Sequence, residues 1–119
     1  MCAFCELDTY EMENDHAVAI FDKYPVTEGH VLIIPKRHTA DYFDLTPMEQ
    51  ESMQRLLEAM RMRLLFQFRP DGFNVGINCG RAAGQTIFHV HMHLIPRRSG
   101  DMDDPAGGVR GVIPEKQKY

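Results

Sequence analysis

His89-Val90-His91-Met92-His93-Leu94-Ile95-Pro96 carries two interleaved signals. Imidazoles stand at the odd positions, and Val90, Met92 and Leu94 at the even ones. Side chains two apart in a strand share a face. The spacing therefore predicts a strand from about Ile87 to Ile95, with three histidines on one side, apolar residues on the other and Pro96 ending it. These are three of the six histidines in the chain, which makes surface decoration a poor explanation and a functional site the better one.

Outward from this ladder, the other elements follow from periodicity and turn chemistry. Phe73, Val75, Ile77 and Cys79 alternate with Asn74, Gly76 and Asn78, the period of a half-buried strand with Cys79 as a core thiol. Ala17–Phe21 follows the turn-forming Glu13-Asn14-Asp15 and reads as another strand. Val31–Ile34 reads as a third, entered through a loop that delivers His30 and stopped by Pro35. Thr46-Pro47-Met48-Glu49 has the cap, first-turn proline and reaching glutamate of a helix start. Met53, Leu56, Leu57, Met60 and Leu64 then recur at helical spacing until Arg69-Pro70-Asp71-Gly72, and the methionines read as core filler. Strands with one long helix among them predict an α+β fold with a mainly antiparallel sheet.

Length and composition narrow the class. A chain of 119 residues with no internal repeat or linker fits one domain spanning 1–119. With 44% hydrophobic and 25% charged residues it reads as a soluble globular protein, and 13 − 17 gives a net charge of −4. That balance argues against nucleic-acid binding through bulk charge, so no nucleic-acid partner is expected. No apolar run approaches the ~18 residues of a membrane span, and no secretion signal opens the chain, so cytoplasm is the expected location and no membrane contact is expected. Cys2 and Cys5 form a C-x-x-C pair too near the start for the usual redox site; they are either half of a zinc site or two small hydrophobes.

The ladder supports two chemistries. Histidines spaced by one residue on a strand can ligate a hydrolytic metal, although no carboxylate lies within this strand. Alternatively, a neutral imidazole attacks phosphorus while a neighbour serves the leaving group. Gly84-Gln85-Thr86 just upstream offers an amide, a hydroxyl and backbone N–H groups for phosphate, and Asn78 lies on the preceding strand's polar face. The second chemistry fits these residues better.

The ladder with Ala83-Gly84-Gln85-Thr86 before it resembles the signature of the histidine triad superfamily of nucleotide hydrolases and transferases. Cys2-Ala3-Phe4-Cys5, Phe21-Asp22, Gly29 through His38, and Asn78 extend the resemblance in the family's order. It implies a five-stranded antiparallel sheet with a long helix and a shorter helical segment, pairing across a homodimer. It implies that His91 attacks the α-phosphorus of an adenine nucleotide and forms a nucleotidyl-histidine whose hydrolysis releases AMP. His93 would serve as general acid at the leaving group, and His30 would support the relay. Asp22 would hold the ribose, Phe4, Leu7 and Ile20 the base, and Asn78, Gln85 and Thr86 the phosphate or ribose. For Phe4, Leu7 and Ile20 an ordinary core role is the competing expectation.

The resemblance also implies a zinc ion held by Cys2, Cys5, His38 and His89, as in the related galactose-1-phosphate uridylyltransferases. Two thiolates and two imidazoles make a closed set, which reads as structural zinc with no metal needed for the chemistry. Gln85-Thr86 resembles the branch that cleaves dinucleoside polyphosphates, whereas the phosphoramidase branch more often has Ser second. Arg97 and Arg98 could extend over a longer polyphosphate or simply close the strand in solvent. The stretch from Gly107 to Pro114 resembles bacterial members and is expected to shape the leaving-group side. A metal-dependent hydrolase using the ladder, or a nucleotide-binding module with little turnover, are the alternatives.

Overall fold

A computed structural model describes residues 2–119. Its frame is an antiparallel sheet of five strands in the order β1-β2-β3-β5-β4. The strands are β1 (Met12–Glu13), β2 (Ala17–Phe21), β3 (Val31–Pro35), β4 (Gly72–Ile77) and β5 (Met92–Arg97). One long helix, α1 (Pro47–Phe68), lies across one face. The shorter helical pieces are all 3-10 turns, at Tyr42–Asp44, Arg81–Ala83, Gly108–Val112 and Pro114–Lys116.

Helix α1 begins where the cap chemistry predicts. The Thr46 hydroxyl accepts from the Glu49 N–H at 3.1 Å, and the Glu49 carboxylate accepts from the Thr46 N–H at 2.9 Å. Arg69 ends the helix in a left-handed conformation, its N–H returning to the Leu65 carbonyl. Met53, Leu56, Met60 and Leu64 are buried against Ala17, Ala19, Val31, Ile33, Met92 and Leu94 of the sheet. Both core methionines are fully enclosed, as the core-filler reading expects. A smaller cluster of Val18, Leu32 and Ile34, flanked by Phe4, Leu7 and Ile20, occupies the opposite face. The odd positions His91 and His93 belong to that second face, because His93 pairs directly with Leu32 and Gly76.

The structure corrects the expected strand limits. β5 starts at Met92 rather than Ile87, since the ladders to β3 and β4 both begin there. His89 and His91 therefore precede the ladder, held instead by the Val90 N–H on the Thr39 carbonyl. Pro96 does not end the strand. Its carbonyl accepts from the Thr27 hydroxyl on the side away from β4, so its missing N–H costs no bond to β4. Glu13, read as turn, lies in the short strand β1 opposite Val18. Cys79 falls past the end of β4 and is partly exposed, so it is not a core thiol.

The β2–β3 connection must turn sharply to place His30. Gly29 sits at φ +90°, and a Cβ there would meet the Phe68 ring at 2.9 Å, so both conformation and space call for glycine. The tail folds back beside β4, where Gly108, Val109, Gly111 and Val112 close a hollow that also touches His30 and His93. Arg97 is engaged with the Asp101 carboxylate at 2.7 and 2.8 Å and with Asn74 at 2.7 Å. Arg98 donates to the Glu28 carbonyl at 3.0 Å. Arg97 is thus held by three bonds at the strand end, whereas Arg98 makes one.

Glu49 joins this frame to the segment bearing His38. Arg37 grips its carboxylate with Nε and Nη2, both at 2.9 Å, and that bond with the Thr46 N–H holds the carboxyl at about 2 instead of its ordinary 4.5. A lowered folded-state value means the unfolded chain binds the extra proton, so this stabilisation is complete above about pH 4.5 and lost as pH falls toward 2. Replacing Glu49 with Gln is expected to cost about 1–3 kcal/mol in urea unfolding at pH 7. The gap from wild type should narrow steadily when the measurement is repeated below pH 4.5.

Candidate active site

Two clusters of metal-competent side chains occur among the described residues: Cys2, Cys5, His38 and His89 in one, and Asp22, His30 and His93 in the other. In the first, Cys2 Sγ lies 3.5 Å and Cys5 Sγ 3.6 Å from His89 Nδ1. Cys5 Sγ is 3.3 Å from His38 Nδ1, and the two Nδ1 atoms are 3.2 Å apart. A tetrahedral zinc ion with ordinary bond lengths sets S···N edges of roughly 3.5 Å and N···N edges of roughly 3.3 Å. These four spacings match edges of such a tetrahedron, and all four donor atoms lie within 4.8 Å of one another. His89 is fully buried and its Nε2–H donates to the Pro35 carbonyl at 2.7 Å, which leaves Nδ1 as the ligating nitrogen.

The other two triad members turn to different work. His91 places Nδ1 2.9 Å from the His89 carbonyl. A carbonyl only accepts, so Nδ1 carries an N–H, and in the neutral ring the lone pair is the one on Nε2. His93 Nδ1 lies 2.9 Å from His30 Nε2, and His30 Nδ1 accepts the Val26 N–H at 3.0 Å. Asp22 Oδ2 stands 3.5 Å from the same His30 Nε2. Burial lowers the proton affinity of His93, and neighbouring His91 and His30 lower it further against the pull of Asp22. Burial does the same to His30, again opposed by Asp22. Both rings are accordingly held neutral at neutral pH.

His91 and His93 border a cleft of about 820 Å³, within the range of small-molecule sites. Phe4, Leu7, Ile20, Asp22, Asn78, Thr86, His91 and His93 all line it. Phe4, Leu7 and Ile20 also flank the smaller apolar cluster, so they line the cleft while packing on the core. The Phe4 ring meets His91 edge-on with centroids 5.1 Å apart, so the turn between the two cysteines contributes a wall beside the histidine. His30 stands behind His93 rather than in the cleft.

Gln85 requires correction. Its side chain is buried, donating to the Ala40 and Ile87 carbonyls and accepting the Gly80 N–H. With both N–H directions occupied it braces the loop and offers no donor to a phosphate. Gly84, at φ +93°, Thr86 and Ile87 are the parts of that loop that reach the cleft. Sequence reading missed Thr9, Glu11, Lys23 and Tyr24 on the cleft wall. Lys23 and Tyr24 directly follow Asp22, so the loop assignment could have included them. The Pro35 carbonyl and Val26 N–H are backbone groups and leave no side-chain signal.

Residues 8–100 match the HIT domain family. An uncharacterised HIT-like protein of Mycobacterium tuberculosis is 40% identical over 118 residues, covering 91% of this chain and 79% of that protein. An adenylylsulfatase of Arabidopsis thaliana is 35% identical over 106 residues, covering 84% of this chain and 54% of the relative. Among solved structures, a zinc-bound histidine triad family protein from Mycobacterium smegmatis aligns with a TM-score of 0.70 and 40% identity, covering 76% of this chain and 66% of that one. With the family match spanning most of its length and the same fold in a close relative, the chain belongs to the HIT family.

Proposed function

We propose that the chain is a nucleotidyl hydrolase or transferase that cleaves adenine nucleotides at the α-phosphate through a nucleotidyl-His91 intermediate, releasing AMP. The observation that carries this reading is the His91 Nδ1 contact with the His89 carbonyl, which favours the tautomer whose lone pair is on Nε2 in a ring lining the cleft. In the first step Nε2 attacks phosphorus and the leaving group departs; in the second, water attacks and the imidazole departs. One group acts as nucleophile and then as leaving group, which divides a difficult displacement into two easier ones. The His93 Nε2–H and the Thr86 hydroxyl donate to the phosphoryl oxygens. Asp22 faces the ribose and Phe4, Leu7 and Ile20 the base.

A zinc ion held by Cys2, Cys5, His38 and His89 would act structurally, tying the Phe4 turn to the segment before β5. The donor spacing and the zinc-bound relative support this assignment. The geometry speaks against a hydrolytic metal on the three-histidine ladder. The His89 Nδ1 atom turns toward the cysteines, whereas His93 turns to His30, so the rings do not converge on one point. The adenylyl-cleaving relative supports an adenine nucleotide as substrate. The edge position of β4 leaves room for the sheet to be lengthened by a second copy, consistent with a homodimer.

The deciding assay follows AMP release from adenosine phosphoramidate and diadenosine tetraphosphate, with EDTA present throughout. Wild type is expected to turn over and His91→Ala to lose roughly 10⁴-fold or more. Acid quenching should trap label from the α-phosphate on wild-type protein only. AMP binding without product would return the chain to the binding-module reading, and activity restored only by added zinc would return it to the metal-dependent one. For the zinc, metal analysis should find about one ion per chain in wild type. His38→Ala should lose it, with melting lowered by roughly 5–15 °C as the Cys2–His89 connection is released.

A further inference from the structure

The first residues of the chain are held to the body almost entirely by side chains. Among the described residues, the first backbone hydrogen bond from this end to the sheet is that of the Glu11 N–H on the Ala19 carbonyl, at 2.8 Å. Before it, the Cys5 N–H returns to the Cys2 carbonyl at 3.1 Å, and the Tyr10 hydroxyl donates to the Leu7 carbonyl at 3.5 Å. Both of those bonds stay within the segment. Two attachments to the body remain. One is the apolar contact of Phe4 and Leu7 with Val18, Leu32 and Ile34. The other is the pair of sulfurs set against His38 and His89. The same segment supplies Ala3, Phe4 and Leu7 to the cleft, with the Phe4 ring on His91. Whatever detaches the sulfurs therefore loosens one wall of the cleft.

Cys5 is exposed and Cys2 partly so. Their sulfurs lie within 4.8 Å of each other in one turn, and Cys79 is not part of that cluster. We propose that this thiol pair is a redox switch: peroxide joins Cys2 to Cys5 as a disulfide, the metal is released, and the cleft loses its Phe4 wall. The proposal rests on the zinc assignment and on the nucleotide reading of the cleft. A bound zinc ion would keep both sulfurs as thiolates, the form that attacks peroxide. The exposed Cys5 sulfur attacks one peroxide oxygen, the O–O bond breaks, and hydroxide leaves, so that Cys5 becomes a sulfenic acid. The Cys2 thiolate then attacks the Cys5 sulfur, the S–O bond breaks, and a second hydroxide leaves. The two sulfurs have lost two electrons and peroxide has gained them; two protons from solvent turn the hydroxides into water. His38 and His89 are left as half of a tetrahedral donor set. His89 keeps its bond to the Pro35 carbonyl, so the segment bearing His91 stays in place while the Phe4 turn comes free.

The test begins with the zinc-loaded full chain, whose metal content and AMP affinity are measured before any oxidant is added. Hydrogen peroxide should then release about one zinc ion per chain to a chromogenic chelator. Peptide mass should show Cys2 and Cys5 joined, two hydrogens lighter. The dissociation constant for AMP, followed by calorimetry, should rise roughly fivefold or more, and dithiothreitol with added zinc should restore it. Zinc retained under peroxide, or released with Cys2 and Cys5 unpaired, would overturn the proposal. So would an unchanged AMP affinity in the disulfide form. Cys5→His keeps four metal donors but cannot form the disulfide; its zinc and AMP affinity should survive the same treatment, and an equal loss would overturn the proposal. The wild-type readings decide it even if that variant does not fold. Cys79→Ser should respond as wild type, and a response lost with Cys79 would move the oxidation to that thiol and overturn the pairing. If the untreated chain holds no zinc, the zinc assignment itself fails. If the zinc-loaded chain binds no AMP, the nucleotide reading fails. Either result brings the proposal down before the oxidant is tried.

Discussion

The carbonyl oxygens of Pro35 and His89 decide which nitrogen each of two imidazoles presents. Pro35 accepts from His89 Nε2 and thereby turns Nδ1 toward the cysteines. The His89 carbonyl accepts from His91 Nδ1 and leaves Nε2 for the cleft. Neither acceptor can donate, so neither ring can exchange its tautomer without losing a hydrogen bond in a partly or wholly buried setting, a loss on the order of 1–3 kcal/mol. The metal-competent cluster and the cleft-facing imidazole are consequently adjacent but distinct: one residue, Val90, separates His89 of the cluster from His91.

The rest of the fold serves to hold that peptide still. Even-numbered Val90, Met92 and Leu94 enter the core beneath α1, while the odd-numbered rings stay on the opposite face. A one-residue slip of β5 would bury imidazoles against Met53 and Met60 and expose the apolar side chains, so the register is fixed by the core itself. Before Met92, where the ladders have ended, the Val90 bond to Thr39 and the buried Gln85 brace take over. Gln85 makes three bonds inside the loop, so the residues that reach the cleft, Gly84, Thr86 and Ile87, are carried on a fixed backbone.

The sequence made the larger part of this legible because its signals are local and periodic. Alternation placed the imidazoles on one face, the Thr46-Pro47-Met48-Glu49 start was a complete capping box, and the α1 stripe named the buried Met53, Leu56, Met60 and Leu64, with Leu57 only partly buried. Strand ends were less readable, because a strand stops where its neighbours stop, and Met92 is set by β3 and β4 rather than by its own sequence. Pro96 misled for the same reason: its missing N–H matters only on the side with a partner. Gln85 misled differently, since an amide looks the same in sequence whether it faces a ligand or three backbone groups. Backbone donors such as Val26 N–H carry no signature in side-chain pattern at all.

The electrostatics of the cleft follow from these assignments. The chain carries a net charge of −4, and Asp22 and Glu11 both line the cleft, with Glu11 engaged by Arg63 at 2.7 Å. Lys23 is the lysine on that wall, and Arg97 and Arg98 are not part of it. An anionic phosphate entering such a site is met chiefly by oriented dipoles and neutral N–H groups. Dipoles fixed before an anion arrives need no reorganisation when charge develops, so such a lining would stabilise negative charge without a dense set of cations. His30 and His93 are kept neutral by burial, which disfavours the cation against the opposing pull of Asp22. Fixed tautomers substitute here for fixed charges, and their cost is borne by the backbone bonds that hold them.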